Sequence, residues 1–150
     1  MTQRPADDPP PLPSFDPLLP SQMARRAEET GVTKANGNWI NTLVLSVLAG
    51  AFIALGAEFF TMVTTASGAG YGLTRLIGGL AFSLGLFLVV VAGAELFTGN
   101  NLLVMAWASR RITLGELLRN WALVFTGNAA GDLGLALLVA LSNHPALNQG

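Results

Sequence analysis

The chain of 150 residues has no cysteine and only one histidine. Without cysteine it can form no disulfide bond, thiolate metal site or thiol nucleophile. The lone histidine, His144, cannot build a metal site with the usual ligand spacing, so we expect no metal and no cofactor. The sequence also lacks a phosphate-binding loop, a dinucleotide fingerprint and a Ser/His/Asp nucleophile set, and we therefore expect no enzymatic activity.

Charged residues are scarce and unevenly placed. They make up 11% of the chain, against about 25% in a typical soluble domain. None occurs between Lys34 and Glu58, between Arg75 and Glu95, or after Asp132. The net charge of -1 gives no reason to expect a nucleic acid partner. Because uncharged apolar runs of about 20 residues match the thickness of a bilayer, the sequence predicts an all-α membrane protein.

Three apolar stretches are long enough to cross a bilayer. We predict spans at about 39–63, 76–107 and 117–141, all within residues 37–142. A polar run bracketed by glycines indicates that the second span is interrupted near 95–100.

The segments that flank the predicted spans are polar. Residues 1–20 contain seven of the eight prolines, a composition that cannot form a packed core, so we predict a disordered cytoplasmic tail. Residues 21–36 are predicted as an amphipathic cytoplasmic helix and linker, with Ser21 as the N-cap and Gly31 as the C-cap. Residues 143–150 are predicted as an external tail, truncated before a second repeat.

The basic residues near the spans are distributed unequally between the two ends. One end carries Arg25, Arg26, Lys34, Arg110 and Arg111, and the loop after the first span has only Arg75. The positive-inside rule therefore places the N terminus in the cytoplasm and the C terminus outside. Three spans with ends on opposite sides are typical of one repeat of an inverted-repeat transporter, because an odd number of spans makes the next copy enter upside down.

Small residues recur within the spans. Gly50 and Ala54 lie four residues apart in the first span, and Gly127, Gly131 and Gly134 form a stripe in the third. Small side chains at this spacing let helices approach closely in lipid. We therefore predict close helix packing along both stripes.

The polar run from Gly93 to Asn100 is the strongest indication of a functional site. Irregular backbone at membrane depth must be buried in protein or line a water-filled cavity, so the run predicts a pore or a binding site. Gly93 and Gly99 permit unusual backbone conformations, and a half-helix starting near Asn100, with freed amides, would favour a passing anion. Thr98 adds a hydroxyl that can donate and accept. We expect Glu95 to hold the loop by accepting hydrogen bonds from amides of the broken helix; the alternative is proton or ion handling.

Four apolar residues accompany the polar run. Phe82 and Leu86 lie four residues apart on one helical face, and Leu96 and Phe97 lie inside the run. An anion pore needs narrow apolar constrictions as well as polar groups. We predict that these four residues line the pathway, although spacing alone also fits ordinary core packing.

Several runs of the sequence resemble the formate/nitrite transporter family in order and spacing. They are Leu48–Gly56, Phe82–Leu86, Gly93–Asn100, Asn120-Trp121 and Gly127-Asn128. The resemblance covers about residues 15–141, and two runs before the first span, Leu18–Pro20 and Gly31–Ala35, are more similar to the formate branch than to the nitrite branch.

The resemblance implies an aquaporin-like fold of six spans, built as two inverted three-helix repeats and assembled as a homopentamer in the inner membrane. It implies passage of a small monovalent anion, formate or nitrite, in some cases with a proton. By the same resemblance, Leu96, Phe97 and Thr98 form a loop beside the pore, and Phe82 and Leu86 narrow it. Thr98 matches a threonine close to a pore histidine, which the family carries in its fifth helix and which this chain therefore lacks.

Two alternatives remain open at the level of sequence. The chain could be a non-transporting membrane subunit, or a half-protein that assembles with other helices. It could also pass neutral solutes in the manner of an aquaporin. Because a family-type pore needs both repeats, we expect the isolated protomer to conduct nothing.

Overall fold

A computed structural model of the chain describes residues 19–65 and 67–142. The secondary structure of these residues is helical throughout, with the elements α1 (Pro20–Ala35), α2 (Trp39–Thr64), α3 (Tyr71–Ala92), α4 (Phe97–Asn100), α5 (Leu103–Ala108) and α6 (Leu114–Leu141). The tail predicted at 143–150, including His144, lies outside the described residues. So does most of the N-terminal tail predicted at 1–20.

Helices α2, α3 and α6 are each long and apolar enough to cross a membrane, with 26, 22 and 28 residues. The prediction of an all-helical chain is confirmed for the described residues, and these three helices are the candidates for the three predicted spans. Helix α3 begins at Tyr71, earlier than the expected start near residue 76, and Arg75 stacks over the rings of Tyr71 and Phe60. Helix α6 begins at Leu114, because the Thr113 side chain accepts a hydrogen bond from the backbone N–H of Glu116 and caps the first turn.

Helix α1 is longer than the sequence predicts, and both predicted caps are wrong. Its N-cap is Leu19, with Pro20 in the first turn, where a missing N–H costs nothing. Gly31 lies inside the helix and is buried. A β-carbon added at Gly31 would lie 3.0 Å from the β-carbon of Ala106, so this glycine allows α1 to approach α5 closely instead of ending the helix.

Helix α2 packs between α3 and α6, and glycines mark both contacts. A β-carbon added at Gly56 would lie 2.7 Å from the carbonyl oxygen of Phe82, and one added at Gly85 would lie 2.6 Å from that of Phe52. Toward α6, a β-carbon at Gly50 would overlap the carbonyl of Asn128. Such close backbone approach is the usual basis of helix association in lipid.

The predicted glycine stripe of α6 is correct for two of its three members. Added β-carbons at Gly127 and Gly131 would overlap Ser46 and Val47 of α2. Gly134 has no atom within 4 Å of an added β-carbon and is not part of the contact. Beyond Gly131 a groove of about 450 Å³ lies between α2 and α6, and Gly134 is not among the residues that line it.

Replacing Gly131 by alanine is expected to lower the free energy of unfolding by about 1–3 kcal/mol, because the methyl group would force α2 and α6 apart. Gly134→Ala is the matched control and is expected to leave stability unchanged or raise it by up to about 1 kcal/mol. Unfolding of the purified protein in detergent measures both effects. Equal stability of the two variants would contradict the packing described here.

Candidate functional site

The site is built around an interruption of the helical backbone between α3 and α4. Helix α3 ends at Ala92, and Gly93 adopts a left-handed conformation with φ of 63°. The chain is then non-helical until Phe97, which starts α4. The break therefore begins earlier than the expected range of 95–100. Asn100 ends the short helix α4, so the expectation that a half-helix starts near Asn100 is wrong; Gly93 has already redirected the chain and helix resumes at Phe97.

A single side chain of α6 satisfies much of the backbone at the break. The Asn128 amide nitrogen donates to the carbonyl oxygens of Ser46, at 2.8 Å, and Glu95, at 2.9 Å. Its amide oxygen accepts from the backbone N–H of Phe97 at 2.8 Å. The backbone N–H of Glu95 donates to the carbonyl of Leu45 at 3.2 Å. Asn128 thus connects α6 to α2, to Glu95 within the break and to Phe97 at the start of α4.

These bonds change the expected role of the break. The amides of Glu95 and Phe97 are used within the protein, so they are not available to a passing anion as the sequence suggested. Asn128 entered the sequence interpretation only as part of a family resemblance. Its role could not be read from the sequence, because no local pattern shows which carbonyls of α2 its side chain reaches.

The carboxylate of Glu95 is neutralised by a lysine from α1. The Lys34 ammonium lies 2.8 Å from Glu95 Oε2 and donates to Asn100 Oδ1 at the same distance of 2.8 Å. The Asn100 amide nitrogen donates to Glu95 Oε2 at 2.8 Å and to Asn120 Oδ1 at 2.9 Å. The Glu95 side chain is only 14% exposed. Its described side-chain partners are therefore Lys34 and Asn100, and not the backbone amides that we expected.

Lys34 is a residue of the site whose partners the sequence did not reveal; the sequence analysis used it for orientation and within the Gly31–Ala35 run of the family resemblance. A signal was present, because Lys34 is the single lysine of the chain and the last charge before a long apolar span. Its side chain is 29% exposed. It also lines a groove of about 350 Å³, which includes Arg26 on α1 and Gly99 at the break. The groove therefore carries two cationic side chains beside the interruption.

Aromatic residues of α6 hold the short helix α4. The Trp121 indole N–H donates to the carbonyl oxygen of Asn100 at 3.0 Å. The Phe97 ring makes edge-to-face contacts with Trp121, at a centroid distance of 6.1 Å, and with Phe125, at 5.5 Å. Every buried side-chain nitrogen and oxygen in the described ranges has a hydrogen-bond partner. The buried polar side chains of the site are therefore held in place by hydrogen bonds within the protein.

The residues predicted to line a pathway differ in their exposure. Thr98 and Gly99 are exposed, whereas Phe97 is half-buried. Phe82 and Leu86 are 40% and 50% exposed on the surface of α3.

Leu96 has a second role in the core. It is half-buried and packs against the cluster formed by Ala49, Val89 and Ala94. The polar and apolar residues of the break thus lie together at the junction of α3 and α4, with part of their surface open.

The sequence of the chain is similar to known proteins over most of its length. Residues 21–149 match the family described as formate/nitrite transporter. The chain is 47% identical over 131 residues to the formate channel FocA of Escherichia coli, 41% over 134 residues to the formate channel FocA of Haemophilus influenzae, and 35% over 129 residues to the formate channel FocB of Escherichia coli. These alignments cover 87%, 89% and 86% of this chain and 46%, 47% and 46% of the relatives. The chain thus spans about half the length of these relatives.

A double-mutant cycle tests whether Lys34 and Glu95 act as a pair. Lys34→Met and Glu95→Gln are each expected to lower the free energy of unfolding by about 1–3 kcal/mol, because each leaves a largely buried partner unsatisfied. The loss of stability in the double variant is expected to be smaller than the sum of the two single losses by at least about 1 kcal/mol. Arg25 is exposed on α1, so the control substitution Arg25→Met should combine additively with Glu95→Gln. Additive losses for the Lys34 pair would disprove the coupling.

Proposed function

The chain belongs to the formate/nitrite transporter family, and from this premise we propose that it forms the first half of a membrane pathway for small monovalent anions. The family is one of multi-pass membrane transporters and not of enzymes. Formate is the favoured substrate, because three of the similar relatives are named formate channels. Nitrite is the next choice, given the family as a whole.

The observation that carries the proposal is the partly open break beside a lysine. Thr98 is an exposed residue next to Phe97, and the adjacent Gly99 lines the same groove as Lys34. A hydroxyl and an ammonium are donors suited to a small carboxylate. The amides of Glu95 and Phe97 are already bonded within the protein, and Thr98 and Lys34 supply the side-chain donors that would attract the anion.

Apolar side chains would supply the selectivity barrier. We assign Phe82, Leu86, Leu96 and Phe97 to the walls of the pathway, as the sequence predicts. Phe82 and Leu86 are exposed in the described chain, so their side chains are free to face a pathway. An anion passing apolar walls must shed part of its water, and an ion with a single charge does so at a lower cost than one with two charges.

The charge balance at the break fits passage better than tight binding. The Lys34 ammonium is compensated by Glu95 at 2.8 Å, so the pair presents a dipole and not a full positive charge. Conduction requires that an ion bind strongly enough to enter and weakly enough to leave. A compensated lysine satisfies both conditions.

The complete protein would have an aquaporin-like fold. Three spans in this chain and relatives about twice its length support two inverted three-helix repeats. The basic residues support a cytoplasmic N terminus. Assembly as a homopentamer in the inner membrane, and a histidine of the second repeat that lies close to Thr98 and protonates the departing weak acid, follow from the resemblance to the family.

Formate uptake by proteoliposomes at two pH values tests the proposal. We expect no uptake with this chain alone and clear uptake with a version extended through a second three-span repeat, because one repeat cannot enclose a pore. Thr98→Ala in the extended version should lower uptake severalfold, since it removes an exposed donor at the break.

Thr126→Ala is the matched control, because the Thr126 hydroxyl donates to the carbonyl of Ala122 within its own helix. It should leave uptake unchanged. No uptake in either version would support a non-transporting assembly subunit. Uptake that ignores membrane potential and solute protonation would support passage of neutral solutes.

A further inference from the structure

Trp121 contacts both ends of the short helix α4. Its indole N–H donates to the carbonyl of Asn100, the last residue of α4, at 3.0 Å. Its ring meets Phe97, the first residue of α4, with a centroid distance of 6.1 Å and an interplanar angle of 70°. A helix of four residues has almost no stability of its own, so its position depends on such external contacts.

Trp121 is itself held in place by the protein core. It packs against the buried cluster of Ala35, Leu103, Ala106, Ile112 and Leu117, which joins α1, α5 and α6. The indole therefore cannot shift freely to follow α4. Phe125, one turn further along α6, adds a second edge-to-face contact to the Phe97 ring, at 5.5 Å and 74°. The Phe97 ring is thus fixed by two aromatic neighbours on one helix.

We propose that Trp121 and Phe125 are positioning residues that fix the Phe97 ring and thereby set the largest monocarboxylate that can pass the break. This inference rests on the proposed function, in which Phe97 is part of the apolar constriction. Edge-to-face contacts are directional, so together they select one orientation of the ring. Without them the phenyl group would populate other rotamers, and the opening beside it would widen.

The proposal predicts a change in selectivity and not only a loss of activity. A wider constriction admits lactate while formate, which already passes, gains little. A purely structural role of Trp121 would lower the rates of both anions together. The ratio of lactate to formate uptake therefore separates the two explanations.

We would measure that ratio in proteoliposomes containing the version extended through a second repeat. Phe125→Leu and Trp121→Leu are expected to raise the ratio about threefold to tenfold, the range that corresponds to the loss of one directional aromatic contact. Phe125 is 59% exposed, so its replacement should not impair folding. Phe125→Tyr keeps the ring and should keep the ratio.

Trp107→Leu is the matched control, because Trp107 is 42% exposed on α5 and makes no aromatic contact with Phe97 among the described residues. It should leave the ratio unchanged. An unchanged ratio in Phe125→Leu and Trp121→Leu, or a parallel fall in both rates, would overturn the proposal.

A labelling experiment tests the positioning without any transport. The chain has no cysteine, so Leu96→Cys introduces a single thiol at a half-buried position just before α4. Adding Trp121→Leu should raise the rate of its modification by a methanethiosulfonate reagent at least about threefold, because α4 loses a contact at each end. An unchanged rate would overturn the positioning role even if the protein transports formate. If the rate rises but the unsubstituted extended protein takes up no formate, the proposed function fails, and the selectivity claim fails with it.

Discussion

An interrupted helix within a membrane span must find partners for its own backbone, since lipid supplies none. In this chain the requirement is met mainly by the side-chain amide of Asn128, which bonds to carbonyls on both α2 and the break and to the first amide of α4. One carboxamide thereby replaces the helical hydrogen bonds that the turn at Gly93 removes. The positions of Leu96, Phe97 and Thr98, which follow the turn, depend on these hydrogen bonds.

The Asn128 bonds are possible only because α2 and α6 approach closely. Gly50 on α2 and Gly131 on α6 leave no room for a β-carbon at the contact, and this proximity lets the short Asn128 side chain reach the carbonyl of Ser46. The helix packing and the site are therefore parts of one arrangement. A change that separates the helices would also release the backbone of the break.

The ion pair between Lys34 and Glu95 links the break to α1, which is not among the helices long and apolar enough to cross a membrane. A carboxylate at this depth is costly unless it is paired, and Lys34 together with Asn100 supplies the partners. The same pair leaves the break with a compensated charge. One set of contacts thus stabilises the break and attaches α1 to it.

Much of the fold was predictable from the sequence, because long uncharged runs admit few structures other than spanning helices. The three spans, and the existence of a break near Glu95, follow from apolar length and from a polar run bracketed by glycines. Local patterns were less reliable at helix ends. Gly31 is the residue type that commonly ends a helix, but it lies inside α1, where its lack of a side chain allows the close contact with Ala106.

The partners of the site were decided only by the tertiary structure. Lys34 and Glu95 are 61 residues apart in sequence, and Asn128 lies 33 residues beyond the carbonyl of Glu95 to which it donates. Hydropathy and helical periodicity report which face of a segment is apolar, but they carry no information on which distant side chain will meet it. The sequence therefore determined where a polar break had to be accommodated, and the packing of α1, α2 and α6 determined how.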